Sequence, residues 1–389
     1  MPASYNYIIT GSGCAGLSLL MRLLQTPKLQ HKKILVIAAQ TKTQNDRTWC
    51  FWEKENGLFE NIVHHRWQQL QFKSNMFSST FSIAPYQYKM LRSIDFYNYV
   101  LQYAKAFSNV EFIYETVTAI KNETNKAVVL TATNEYHADY IFNSILFKNM
   151  EATGANYFLK QHFKGLLIET TFPCFDAAVA TFMDFTVSQQ AGTTFMYVLP
   201  TSPTTALVEY TLFTKNLLQP NEYDIALKNY ISTQLNISNY KIMHEEFGVI
   251  PMTNFNFPSR QGNIINIGTA GGQTKPSSGY TFQFIQKKTE QIVQSLIKNK
   301  HPFVEENFND KKFRLYDSVL LNVLQNKKMS GDKIFSRIFQ KNKPQQVLKF
   351  LDNETNLVED LKIMGSVPMK TFLPTALKEM GSGLVRNRT

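Results

Sequence analysis

Cysteine is scarce in this chain: Cys14, Cys50 and Cys174 are the only three, far apart among 389 residues. Their odd number and wide spacing exclude a disulfide framework, and no Cys-x-x-Cys or Cys/His pattern has zinc spacing, so no metal is expected and a reducing compartment is implied. No apolar run is long enough to span a bilayer, so no transmembrane helix is expected. No basic segment precedes an apolar one at the start, so no secretory leader is expected. Arginine-rich stripes and RNA-binding signatures are also missing, which argues against nucleic acid as a partner. There is no internal repeat and no low-complexity block. The location these absences imply is the cytoplasm, or the inner face of a membrane.

What is present is an ordinary globular composition, 43% hydrophobic and 18% charged, with 30 Phe and 18 Tyr. Such a chain buries a sizeable core, and its length leaves room for two or three domains. The aromatic excess serves that core and also suits a large apolar ligand. The net charge of +11 comes mainly from scattered lysines. A diffuse positive field favours solubility and attraction to an anionic surface.

The most informative segment is Tyr7-Ile8-Ile9-Thr10-Gly11-Ser12-Gly13-Cys14-Ala15-Gly16. An apolar strand runs into G-x-G-x-x-G, and Leu17, Leu20, Met21 and Leu24 then recur at helical spacing before a second apolar run at Ile34–Ile37. This strand–turn–helix–strand order is the dinucleotide-binding arrangement. Gly11 serves the tight turn, Gly13 admits a pyrophosphate, and Gly16 lets helix and sheet pack closely. The pyrophosphate would meet the free amides at the helix start, Ala15 included.

Further along, residues 39–56 carry Asp46-Arg47-Thr48-Trp49-Cys50-Phe51-Trp52-Glu53 on an expected loop, with Asp46 and Arg47 read as an ion pair or as a cofactor contact. Alternation predicts strands within 62–90, and helical spacing predicts a helix from Ile94 to Phe107. Strand signals dominate 164–252, and a helix is expected over Glu222–Leu235. Asn263–Ile267 is a buried strand running into Gly268-Thr269-Ala270-Gly271-Gly272 and then a helix; helices rich in Phe, Leu and Lys follow beyond 301. The expected fold is α/β. A Rossmann-like FAD-binding domain of the glutathione-reductase or hydroxylase type spans 1–62, 91–163 and 260–300. An inserted antiparallel sheet domain for substrate takes 63–90 and 164–259, and C-terminal helices take 301–389. In flavoproteins of that type a strand–Gly-Asp–helix segment closes the flavin site. Here Thr269 stands where Asp is usual, and Lys275 to Tyr280 lengthens the loop.

Taken together, the segments resemble the lycopene β-cyclases of the bacterial, non-fused type. The matching pieces are Gly11 to Gly16, Asn45 to Trp52, Tyr197-Val198-Leu199-Pro200, Ala206-Leu207-Val208-Glu209-Tyr210-Thr211, Gly248-Val249-Ile250-Pro251-Met252 and Gly268 to Tyr280. They run along nearly the whole chain, and the segments around Trp49 and Glu209 are more specific than either glycine motif. The resemblance implies a redox-neutral isomerisation that closes the acyclic ψ ends of lycopene into β-ionone rings, with reduced FAD as cofactor and NAD(P)H as its electron source. A Brønsted acid must protonate the terminal double bond, and water must be kept from the resulting cation. Glu209 is the expected acid, because a carboxyl in an apolar pocket stays protonated. The family's strand motif commonly carries two adjacent carboxylates; here Tyr210 follows Glu209, so only one is present at that place.

The resemblance further implies FAD contacts at Gly11, Gly13, Ala15, Gly16, Arg47, Gly268, Ala270, Gly271 and Gly279, and substrate contacts at Trp49, Trp52 and Tyr210. One departure is Ala38, which occupies the position where an Asp or Glu binds the adenosine ribose; Gln40 or a backbone amide is the expected substitute. The implied partners are lycopene and related carotenoids, other carotenoid enzymes, and membrane lipids met peripherally through Ile334–Phe339 and Val367–Pro374. Two alternatives stand beside this reading. One is a flavin-dependent oxidoreductase, such as a polyprenyl reductase or hydroxylase, which leans on the glycine motifs alone; the other is a flavin- or carotenoid-binding protein without turnover, supported only by the departure at Ala38.

Overall fold

The computed structural model describes residues 4–124, 126–147 and 156–386, with side chains to Gly381. Residues 148–155 of the expected flavin-binding segment lie outside the described residues.

The first sheet has eight strands among the described residues, five of them parallel, in the order Ile264–Asn266, Glu135–Asn143, Ser4–Thr10, Ile34–Ala38, Val110–Tyr114. Tyr7 stands opposite Tyr140 on one side and Ile34 on the other. Ile34–Ala38, in the middle of the sheet, is apolar and buried throughout because both of its faces are covered. Helix Cys14–Gln25 lies on one face beside Phe282–Asn299 and Ser93–Ala104, and nine of its residues are buried. On the other, a meander through Val117–Asn122 and Ala127–Thr131 buries Tyr5, Ile8, Leu35 and Ile37. The last parallel strand of this sheet follows its first by some 250 residues, and the chain from Phe158 to Thr253, which belongs to another sheet, is inserted before it.

The expected loop around Trp49 is instead a strand. Thr48–Glu53 pairs with Gln87–Arg92, which pairs in turn with His65–Trp67, as a separate three-stranded antiparallel sheet. The indoles and Phe51 are strand formers whose alternate sides pack into two different cores, and this outweighs the flanking charges. Phe51 stacks on Phe282 at 4.3 Å, while Trp52 meets Tyr280 at 4.7 Å. Asp46 and Arg47 do not pair: Asp46 accepts from Lys42 and from the Tyr97 hydroxyl, both at 2.8 Å.

The second large sheet has seven strands in the order Lys241–Thr253, Phe158–Glu169, Thr205–Thr214, Thr193–Pro200, Val179–Asp184, Gln69–Lys73, Ser78–Ser82. All neighbours are antiparallel except Val179–Asp184 with Gln69–Lys73. Helix Pro220–Thr233 covers one face through Tyr223, Leu227, Tyr230 and Ile231. The opposite face meets the three-stranded sheet and helices Phe308–Gln325, Gly331–Lys341, Pro344–Leu351 and Leu357–Met364, and helix Met369–Arg386 packs on the first of these. Here the expected interfacial segment Ile334–Phe339 proves to be core. Ile334, Phe335 and Phe339 are buried, with Phe339 stacked on Phe72 at 4.7 Å and Phe335 on Phe185 at 5.8 Å. Its apolar stripe faces the sheet and its lysines face out. Among the described residues no helix is long and apolar enough to cross a membrane.

The core placement is testable: Phe339→Ala should cost about 3–5 kcal/mol of unfolding free energy in urea titrations. Lys341→Ala, two residues away and exposed, should stay within about 0.5 kcal/mol.

Candidate active site

The two glycine turns meet. Gly11 has φ +96° and Gly268 has φ +63°, conformations that favour glycine, and a Cβ on Gly268 would stand 2.9 Å from that of Ala15. Gly16 is sterically required as well, since a Cβ there would lie 2.0 Å from the Gly11 carbonyl oxygen. Gly13 differs: a Cβ on it would meet nothing within 4 Å. It opens onto a cavity of about 440 Å³ and begins a helix whose first amides have neither an intrahelical acceptor nor a side-chain cap. An anion fits such a place, because free N–H groups and the helix dipole both favour it. A dinucleotide's pyrophosphate therefore suits Gly13, Cys14 and Ala15, with Gly268 and Thr269 on the same cavity wall. The ribose is served differently, since Ala38 is a buried apolar residue at the end of its strand and Gln40 is exposed.

The same cavity reaches the second sheet, where four strands contribute one row of side chains. Gly165 stands opposite Glu246 on one neighbour and Glu209 on the other, and Glu209 stands opposite Tyr197 on the next. Residues directly across a sheet share a face, so carboxyl, bare glycine, carboxyl and phenol follow one another. The missing side chain at Gly165 is used: Glu246 leans over it, its Cγ 3.0 Å from where a Cβ would be. Thr211 donates to Glu209 at 2.6 Å, and Thr48 donates to Glu246 at 2.8 Å. Tyr88, Tyr197 and Tyr280 complete this wall, the last two with hydroxyls 3.3 Å apart.

Both carboxyls are held far above the ordinary range. Burial and then the Glu246 charge push Glu209 up to about 8, with the Thr211 hydrogen bond opposing. Burial pushes Glu246 up to about 7, against the Thr48 hydrogen bond and the nearby Arg47 charge. The part of Glu209 that stays accessible is on the cavity wall. Near neutral pH the pair therefore retains protons that exposed carboxyls would have lost.

A sequence model of the lycopene cyclase protein family matches residues 6–377. The chain belongs to the lycopene cyclase family. No curated protein sequence matches it significantly. Among solved structures it is similar to a geranylgeranyl bacteriochlorophyll reductase-like protein from Thermoplasma acidophilum, with a TM-score of 0.64 at 11% identity over 98% of this chain and all of that one. A flavoprotein/dehydrogenase from Cytophaga hutchinsonii gives 0.64 at 11% identity, over 98% of this chain and 100% of that one. The p-nitrophenol 4-monooxygenase of Pseudomonas putida gives 0.60 at 12% identity, over 97% and 98%. The chain thus shares a Rossmann-like flavoprotein fold with these proteins.

The expected site residues of this lycopene cyclase-family chain divide clearly. Gly13, Ala15, Arg47, Trp49, Glu209, Gly268 and Gly279 line the cavity. Arg47 also ties the neighbouring sheet, donating to the Phe247 carbonyl at 3.3 Å. Gly11, Gly16, Ala270 and Gly271 stand behind the lining as turn and packing residues; a Cβ on Gly271 would lie 2.2 Å from the Asn266 carbonyl oxygen. Trp52 and Tyr210 are not placed to touch a substrate there. Trp52 is buried, its indole donating to the Leu348 carbonyl at 3.1 Å. Tyr210 points to the opposite face of the sheet from Glu209, against Tyr223, because successive strand residues alternate. Glu246 went unseen in the sequence, since nothing in Glu245-Glu246-Phe247-Gly248 says which strand it will face. A wider surface groove of about 1220 Å³, between residues 61–64 and 95–114, holds neither the glycine turns nor the carboxyls.

The raised carboxyls carry a stability signature. A carboxyl with a native pKa above its unfolded value favours the folded state while protonated, and that advantage is lost as pH rises through the folded value. Unfolding free energy should fall as pH goes from about 5 to about 8. Glu209→Gln, which cannot ionise, should flatten that slope in denaturant titrations across the same range.

Proposed function

We propose that the protein is a lycopene β-cyclase that holds FAD against its two glycine turns and converts acyclic ψ ends to β-ionone rings, lycopene to γ-carotene and then β-carotene. The observation that carries the reading is the row Glu246–Gly165–Glu209–Tyr197, which faces the cavity that both glycine turns enter. A proton donor at neutral pH, beside phenol rings and a bound cofactor, is what acid-initiated cyclisation requires.

In this reading the protonated Glu209 carboxyl delivers H⁺ to C2 of the terminal C1=C2 bond. The tertiary cation at C1 is attacked by the C5=C6 double bond, and loss of the C6 proton completes the β ring. The Glu246 carboxylate, in the same row, accepts that proton, so the pair ends one turnover with as many protons as it began. Tyr88, Tyr197 and Tyr280, which line the same cavity, supply aromatic surface that would stabilise the cation and keep water from quenching it. When bound, reduced FAD, replenished by NAD(P)H, supplies negative charge that stabilises the cation electrostatically. Lycopene is insoluble in water, so peripheral contact with the inner face of the membrane, and delivery by other carotenoid enzymes, belong to the same reading.

The deciding experiment is an anaerobic incubation of the purified protein with lycopene in liposomes, FAD and NADPH, read by product mass and spectrum. An isomeric, blue-shifted product formed only with reduced flavin is expected. A product two hydrogens or one oxygen heavier would replace the cyclase with an oxidoreductase. Glu209→Gln should lower turnover by roughly 10²–10⁴-fold while flavin absorbance stays in place. Glu246→Gln removes both the proton acceptor and a like charge from beside Glu209; turnover should fall, and the basic limb of the residual pH–rate profile should move to lower pH.

A further inference from the structure

The C-terminal helices enclose a second cavity, of about 460 Å³, that the chemistry above does not use. Its wall is almost wholly hydrocarbon, with Phe313, Leu320, Ile338, Phe350, Val367 and Phe372 among its residues. The charged groups that touch it are already satisfied: Lys275 pairs with Asp317 at 2.8 Å, and Ser277 donates to the same carboxylate. Protein interiors are packed with few voids larger than a water molecule. A space of this size is that of a ligand site, and an apolar lining does not hold water.

The mouth of the cavity is unusual for a protein surface. Leu361, Met369, Leu373 and Met380 line the cavity and are also 70, 54, 49 and 54% exposed. Leu357, Val358 and Leu377 continue the patch outward. On helix Met369–Arg386 the residues Met369, Leu373, Leu377 and Met380 follow at i, i+4, i+8 and i+11, a single apolar stripe exposed along the mouth of the cavity. Contiguous exposed patches of this kind mark binding surfaces. The charges around it have one sign. Glu359 is paired with Lys349, Asp360 with Lys312, and Glu379 accepts from Tyr157 and Asn322. The exposed charges on these two helices, among the described side chains, are Lys362, Lys370 and Lys378. An apolar stripe beside lysines is the composition of a helix lying in a lipid interface.

We propose that this face rests on an anionic bilayer and that the cavity behind it receives an isoprenoid polyene chain drawn from that bilayer; the identity of the chain rests on the substrate reading above. Position supports the connection. Lys275 and Ser277 form part of this cavity's wall, while Thr274, Ser278, Gly279 and Tyr280 of the same loop line the catalytic cavity. One short loop separates the two spaces.

The test uses the full chain and vesicles of phosphatidylcholine and phosphatidylglycerol loaded with lycopene. Wild type should float with the vesicles, and Leu373→Glu/Leu377→Glu should lower partitioning about tenfold while retaining flavin. Ala376→Trp, which fills the cavity from its wall, should float as wild type does but lose the lycopene that co-elutes with wild type in gel filtration. Undiminished flotation of the double variant, or undiminished lycopene with Ala376→Trp, would overturn the proposal. So would a wild-type dimer that the double variant converts to monomer, since the face would then join two copies. Binding is read by carotenoid absorbance and not by product. Lycopene capture without cyclisation would sink the cyclase reading and leave this one standing; cyclisation unaffected by either variant would do the reverse.

Discussion

Strand Phe158–Glu169 lies between Thr205–Thr214 and Lys241–Thr253, and its Gly165 has Glu209 on one side and Glu246 on the other. Two carboxyls are thereby brought onto one face of one sheet, separated by the one residue that has no side chain to keep them apart. A register slip of one residue would send each to the opposite face, against helix Pro220–Thr233 and away from the glycine turns. The proton affinity of the site, the accessibility of Glu209 to the cavity, and the phenol row beside it all depend on that alignment.

The rest of the architecture serves to bring this sheet face to the nucleotide-type domain. Trp49, Phe51 and Trp52 form the hinge of that arrangement. As a strand they present aromatic rings to both sides: Phe51 enters the core around Phe282, and Trp52 enters the core shared with the C-terminal helices. The cavity lies where these cores meet, so its wall takes the glycine turns and Tyr280 from one side and the two carboxyls and Tyr197 from the other. The C-terminal helices close the far side of the sheet, and buried ion pairs at Lys275–Asp317 and Lys312–Asp360 hold them to the glycine-rich loop and to one another. Pairs so enclosed favour one specific docking, because separating them would leave a charge unpartnered in an apolar place.

An exposed apolar stripe with lysine neighbours and a hydrocarbon cavity behind it gives the molecule a second polarity. The uncapped helix-start amides border the cavity of the two glycine turns, and the hydrocarbon-walled cavity lies across the loop Thr274–Tyr280 from it. The proposed reaction, in which a polar cofactor and an insoluble chain must meet without water between them, would use both.

How much of this was legible beforehand follows from the range of each signal. Gly11, Gly13 and Gly16 announce a turn and a helix start through neighbours in the chain, so sequence alone determined the strand–turn–helix unit, the discontinuous order of elements, and the candidacy of Glu209 by resemblance. Trp52 and Tyr210 were misread because their directions are set by packing: alternation places Tyr210 behind the sheet once Glu209 faces forward, and Trp52 follows the Leu348 carbonyl into a core. The helix Gly331–Lys341 was amphipathic on paper, but only the sheet decided that its apolar side faces inward, while Met369–Arg386 turns its own outward. Glu246 lies 37 positions from Glu209 in sequence and beside the same glycine in space. Local composition sets what a segment can become, but pairing across strands is a long-range choice, and only the tertiary structure decided which carboxyl stands next to which.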